Sequence, residues 1–203
     1  GLDYVEERDG ALHIGALARE AELERSEVVR ARYPLLADTA HVIADPIVRN
    51  SATICGNVAH GDPGNDHPAT MIALDAKFAI RGASGTRTVA ARDFFVGLFT
   101  TVLEPDEIVT EIVIPTPTPR SGGAYRKLER KVGDFATAAV AVQLTLDATG
   151  ACQRAGIALT NVGATPIRAA SAEAYLVGKP LDATTIGEAA TMAASAAEPV
   201  ADR

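Results

Sequence analysis

Residues 45–68 read Asp-Pro-Ile-Val-Arg-Asn-Ser-Ala-Thr-Ile-Cys-Gly-Asn-Val-Ala-His-Gly-Asp-Pro-Gly-Asn-Asp-His-Pro. No other stretch narrows the choice of fold as far. Asn, Asp, Gly and Pro are too dense here for a helix or strand, while the apolar beat at Val48, Ile54 and Val58 argues against a disordered linker. The reading that remains is a compact, buried loop with backbone N–H groups free to bind something. Successive N–H groups in turn conformations form a concave anion site, and glycine lets a ligand approach the backbone. The ligand type this points to is a phosphate or pyrophosphate. The alternative is a structural loop that binds nothing.

The 203 residues are 47% hydrophobic, enough for a sizeable core and for two small domains. Aromatics make up only 4% and Trp is absent, so that core must rely on Ala, Val, Ile and Leu. A net charge of −7 argues against nucleic acid, whose phosphates need clustered Lys and Arg. No apolar run reaches the length of a membrane span, and the first residues carry no signal-peptide pattern. Cys55 and Cys152 lie far apart with no CxxC spacing, so neither a disulfide framework nor a zinc or iron–sulfur site follows. A reducing, cytoplasmic location is the expectation.

In chain order, residues 3–7 and 11–17 alternate around Asp9-Gly10, which predicts a hairpin. Residues 19–32 change to helical spacing, acidic early and basic late. Pro34 restarts the chain into a second helix with Leu35, Leu36, Ala40 and Ile43 on one face. Ala69–Leu74 is a short helix candidate; Lys77–Arg81 and Thr86–Val89 predict strands around Gly82-Ala83-Ser84-Gly85. Asp93-Phe94-Phe95 reads as core, Glu104-Pro105-Asp106-Glu107 as a turn, and Ile108–Ile114 as a half-buried strand. Prolines 115, 117 and 119 favour an extended segment and mark a domain junction. Beyond it, Ala124–Lys131, Ala138–Leu146 and Cys152–Val162 predict three antiparallel strands, with a turn at Asp147–Gly150, and residues 168–177 and 183–197 predict Ala-rich helices on the sheet.

Thr53-Ile54-Cys55-Gly56-Asn57 resembles the Thr-Ile-Gly-Gly-Asn motif of the flavin-binding subunits of molybdenum hydroxylases, the xanthine oxidase and carbon monoxide dehydrogenase relatives. Ala44, Val48-Arg49-Asn50, Asp62-Pro63-Gly64-Asn65-Asp66, Leu103-Glu104-Pro105, Tyr125-Arg126-Lys127-Leu128, Lys131-Val132-Gly133-Asp134 and Ala158-Leu159-Thr160-Asn161-Val162 continue the resemblance in the family's order. The similarity is to the medium subunits of aerobic carbon monoxide dehydrogenases.

The resemblance implies an α+β architecture. A PCMH/VAO-like FAD-binding sheet-and-helix domain over 1–117 would be followed by a carbon monoxide dehydrogenase flavoprotein C-terminal-type domain over 118–203. Family members carry an earlier subdomain with an Ala-Gly-Gly turn and continue past Arg203, so the expectation is a chain incomplete at both ends. FAD would lie between that earlier subdomain and residues 1–115, and be held weakly or not at all without it. The implied partners are a molybdenum-pterin large subunit and a [2Fe–2S] small subunit, as a dimer of heterotrimers. Any membrane association would belong to the complex alone. The rivals are a stand-alone flavoenzyme of the same superfamily, for which no acid and base residues stand out, and a cofactor-free interaction module.

Residue by residue, the resemblance assigns the FAD diphosphate to the Thr53, Ile54, Cys55, Gly56 and Asn57 backbone, with help from the Thr53 hydroxyl and Asn57 amide. Cys55 departs from the usual glycine and would be strained if its φ were positive. Asp66 would meet the adenosine end of FAD; a capping aspartate is the alternative. Ile43 and Ala44 would line the flavin pocket, as would Ile108 and Val109, although periodicity alone makes each of these core. Lys127, or adjacent Arg126, would stabilise charge on reduced flavin; the alternative is a solvated strand residue, with Asp134 pairing the basic run. Asp62 reads as a loop cap, and His60 and His67 as polar loop residues rather than metal ligands.

Overall fold

The computed structural model describes residues 1–199. Strands β1 (Val5–Arg8) and β2 (Ala11–Gly15) form the expected hairpin, with Asp9 at φ 50° and Gly10 at φ 75°. The helix expected over 19–32 is two: α1 (Glu20–Arg25) and α2 (Glu27–Arg32). Ser26 leaves helical geometry, at ψ 120°, and its hydroxyl accepts the Val29 N–H at 3.4 Å, ending one helix and capping the next. Helix α3 (Pro34–Val42) follows, with proline in its first turn.

The stretch 45–68 is not a loop. It folds into α4 (Pro46–Arg49), α5 (Ile54–His60) and the start of α6 (Asp66–Ala73). The residues read as breakers act as helix ends. Asp45 caps α4 through Ile47 N and Val48 N at 2.8 and 2.9 Å, and Thr53 caps α5 through Gly56 N at 3.2 Å. Gly61, left-handed at φ 65°, terminates α5, and Asn65 opens α6. Asp62 is the loop cap expected of it, accepting the Gly64 N–H at 2.8 Å.

Strands β3 (Lys77–Gly82) and β4 (Gly85–Ala90) form a second hairpin. A small hairpin of β5 (Phe95–Gly97) and β6 (Thr100–Thr101) leads to β7 (Ile108–Pro115). β7 slots between the hairpins, giving an antiparallel sheet of order β1-β2-β7-β3-β4. Leu12, Ile14, Phe78, Ile80, Ile112 and Ile114 point to one buried face under the helices. Phe94 is core, as expected, edge-on to Phe78 and Phe95 at ring separations of 4.7 and 5.1 Å.

Strands β8 (Ser121–Leu128), β9 (Ala138–Leu146), β10 (Cys152–Thr160) and the short β11 (Ile167–Arg168) form a second antiparallel sheet, ordered β11-β10-β9-β8. The predicted strands hold, but β8 begins and ends three residues early, because the chain turns away at Glu129. Helices α7 (Ala170–Leu176) and α8 (Ala183–Ser195) pack on one face with Val140, Val142, Leu144 and Ile157. The other face presents Ala139, Ala141 and Ala158 to α3 and α6. Small residues are needed there: a Cβ on Gly156 would fall 2.1 Å from the Ala73 carbonyl oxygen. Helix α6 is therefore buried along its whole length between the two sheets.

Candidate functional site

Thr53 to Asn57 form the cap and first turn of α5. Helix geometry leaves the first N–H groups without helical acceptors. Here most are supplied locally: Ile54 N–H donates to Ala18 O at 3.4 Å, Gly56 N–H to Thr53 Oγ1 at 3.2 Å, and Asn57 N–H to Thr53 O at 3.0 Å. Cys55 N–H has no acceptor among the described residues. Gly56 is exposed, Thr53 and Asn57 are half-buried, and Ile54 and Cys55 are buried. Cys55 is helical, so its side chain brings no left-handed strain. Burial pushes its thiol up to about 12, with Glu111 and Glu20 adding to the shift.

Asn57 joins this turn to the next. Its carbonyl accepts from Asn65 Nδ2 at 2.9 Å, while its own Oδ1 is buried without a partner among the described residues. Asp66 follows Asn65 and is buried. It accepts from the Tyr125 hydroxyl at 2.7 Å and from Lys127 Nζ at 3.0 Å. Burial holds the Asp66 carboxyl above its ordinary range, outweighing the lowering by Tyr125 and Lys127. Burial likewise raises the Tyr125 phenol, and Asp66 adds to it. Lys127 also reaches Val42 O at 3.3 Å and Glu129 at 3.4 Å, so its ammonium is committed inside the fold, with 3% of the side chain exposed. It is neither a solvated strand residue nor an open cation.

Val42 leads into Ile43, buried, and Ala44, which is left-handed at φ 47°. Ile43–Ala44, Thr53–Asn57, Asp66 and Lys127 are thus linked through short contacts between α3, α5, α6 and β8. Ile108 and Val109 open β7, the strand on which α5 packs: Ile108 is 59% exposed beside Arg81, and Val109 is buried in the same core as Ile54 and Cys55. Arg126 is exposed and faces Asp38 at 3.6 Å, and Asp134 pairs with Arg130 at 3.4 Å, as its sequence suggested. His67 is not a loop residue. It is fully buried in α6, with Nε2 2.7 Å from Glu20 Oε2. His60 lies against the Phe99 ring.

Three neighbours were not picked out by sequence. Arg49 holds the Ile43 and Ala44 carbonyls, Gly133 approaches Ala44, and Phe135, 61% exposed, borders Gly64. Arg49 and Gly133 lie inside quoted motif runs and Phe135 directly follows one, and that adjacency was their available signal. Two clefts of about 650 and 670 Å³ lie elsewhere, along Pro115–Pro119 and around Arg120–Gly122. The Thr53–Asn57 turn is open to solvent at Gly56. Its free donor at Cys55, its unpartnered Asn57 amide and exposed Gly56 fit a ligand that brings phosphate oxygens and hydroxyls together, since an asparagine amide serves either as donor or as acceptor.

Residues 1–117 match the family described as FAD binding domain in molybdopterin dehydrogenase, and residues 123–203 match the CO dehydrogenase flavoprotein C-terminal domain. The chain belongs to the FAD-binding medium-subunit family of the molybdenum hydroxylases. It is 45% identical to the carbon monoxide dehydrogenase medium chain of Afipia carboxidovorans over 93% of its own length and 65% of the relative's. It is 43% identical to that of Hydrogenophaga pseudoflava, over 99% and 70%. The chain thus spans about two thirds of the length of these relatives. The solved carbon monoxide dehydrogenase from Hydrogenophaga pseudoflava superposes with a TM-score of 0.95 at 46% identity, covering 99% of this chain and 70% of that one. The family's architecture is the α+β arrangement expected from the motifs: a sheet-and-helix FAD-binding part followed by the flavoprotein C-terminal part.

Proposed function

We propose that this chain is the FAD-carrying part of a molybdenum hydroxylase of the carbon monoxide dehydrogenase type. It would take electrons from a [2Fe–2S] small subunit and pass them to an external acceptor, substrate being oxidised on a molybdenum-pterin large subunit. A dimer of heterotrimers in the cytoplasm is the assembly we propose. Residues 1–117 would be the FAD-binding domain and 118–203 the C-terminal domain. One observation carries the reading: the FAD-binding family match runs through the open first turn of α5.

Bound FAD supplies the two-electron to one-electron redox chemistry, and the chain supplies position and electrostatics. Cys55, Gly56 and Asn57 would hold the diphosphate, helped by the positive end of the α5 backbone. Thr53 would shape that turn by capping it, and Ile54 would anchor it in the core. Ile43 and Ala44 would line the flavin, with Ile108 and Val109 as outer apolar contacts. Asp66 retains lone pairs beyond those used by Tyr125 and Lys127, and would accept from a ribose hydroxyl. Lys127 would act through Asp66, holding its carboxylate in place.

The test is to purify the subunit from its own organism in its native complex, record the visible spectrum, and assay molybdenum and iron. Oxidised-flavin bands with both metals in the complex are expected. A flavin-free subunit would favour an interaction module. Flavin without molybdenum or iron would favour a stand-alone flavoenzyme.

A further inference from the structure

Ala44 sits at φ 47° between α3 and α4. The left-handed region is disfavoured for any L-residue with a Cβ, and persists where the surroundings impose it. Two contacts impose it here. Arg49 Nη1 donates to both the Ile43 and Ala44 carbonyls, at 2.7 and 2.9 Å. The same guanidinium is aimed by Glu24, which accepts its Nε–H at 3.1 Å, and the Arg49 side chain is 13% exposed. From the other side comes Gly133, at φ 82°. A Cβ there would fall 2.9 Å from the Ala44 oxygen and 3.1 Å from its carbonyl carbon, so glycine lets the loop after β8 lie against this peptide. Asp45, the next residue, is fixed by capping α4.

We propose that Arg49, aimed by Glu24, is a positioning residue that fixes the Ile43–Ala44 backbone in the left-handed bend lining the FAD site. The inference rests on the cofactor reading above and deepens it. A single planar cation serves two carbonyls just past the C-terminus of α3 and one carboxylate, a geometry that lysine does not reproduce. The Arg49 side chain itself need not touch the cofactor; its effect travels through the conformation of Ala44.

The experiment is a double-mutant cycle in the native subunit: wild type, R49M, A44G and the double variant, each measured by urea unfolding and by FAD affinity. Glycine adopts φ > 0 unaided, so A44G removes the need for the clamp. In the Ala44 background R49M is expected to weaken FAD binding roughly tenfold. In the A44G background the same change is expected to cost less than about threefold, and the loss of unfolding stability should shrink in parallel. Equal R49M losses in both backgrounds would overturn the inference, as would undiminished FAD affinity in R49M. A wild-type subunit that binds no FAD would instead sink the cofactor reading, while the unfolding cycle would still decide whether Arg49 holds Ala44.

Discussion

Asp66 and Lys127 were legible as separate contacts to opposite ends of a dinucleotide, yet they form one buried pair. Sequence could not show this, because the pair joins α6 to β8 across 61 positions. Removing one member of a buried pair leaves an uncompensated charge, so Lys127→Met should destabilise by roughly 3 kcal/mol in denaturant titration, and adding Asp66→Asn should recover part of that. The sign with pH follows. Burial already holds Asp66 above its ordinary 3.8, so the folded state binds that proton more tightly than the unfolded chain. Losing Lys127 raises it further, so the deficit of Lys127→Met should shrink as pH falls toward 4, as unfolding at a series of pH values will report. Cys55 gives a second residue-scale outcome. With its thiol pushed up to about 12 and 2% of the residue exposed, it stays protonated at pH 8. Thiol titration with an aromatic disulfide reagent should find Cys55 unreactive until denaturant is added; rapid labelling of native protein would contradict this.

The elements were largely legible where one face is buried and the other wet. The β1–β2 and β3–β4 hairpins and strands β8, β9 and β10 follow from alternation and turn residues, and Phe94 from its apolar neighbours, whereas the short β5, β6 and β11 were not legible. The central stretch was misread because Asp, Asn, Gly and Pro serve equally as breakers and as helix ends, and only tertiary packing decides which. Thr53 is the clearest case. Thr53→Ala should cost about 1 kcal/mol of stability by losing the cap to Gly56, and should weaken FAD binding as the first turn of α5 frays. The turn before β7 makes a pH prediction. Arg87 and the Glu104 backbone draw the Glu107 carboxyl down from 4.5 to about 2. A depressed carboxylate contributes stability that is present above pH 4.5 and lost as pH falls toward 2. Arg87→Met should flatten that acid limb in unfolding measured between those values; an unchanged limb would show that the pair adds nothing.

For the whole molecule, α6 is the shared layer, buried between a sheet that carries the α5 turn and a sheet that carries Lys127 and Tyr125. Contacts to Asp66 therefore reach across from the second half of the chain, and those to Ala44 come from both halves, through Arg49 and Gly133. This explains why the candidate residues scatter along the sequence while most of them converge in space. The central claim is that the first turn of α5 holds the diphosphate of FAD. The direct measurement is an experimental structure of the flavin-loaded subunit in its native complex. The account predicts diphosphate oxygens about 3 Å from the Cys55 N–H or the Asn57 side-chain amide. A diphosphate bound elsewhere, with that turn touching only protein, would contradict it.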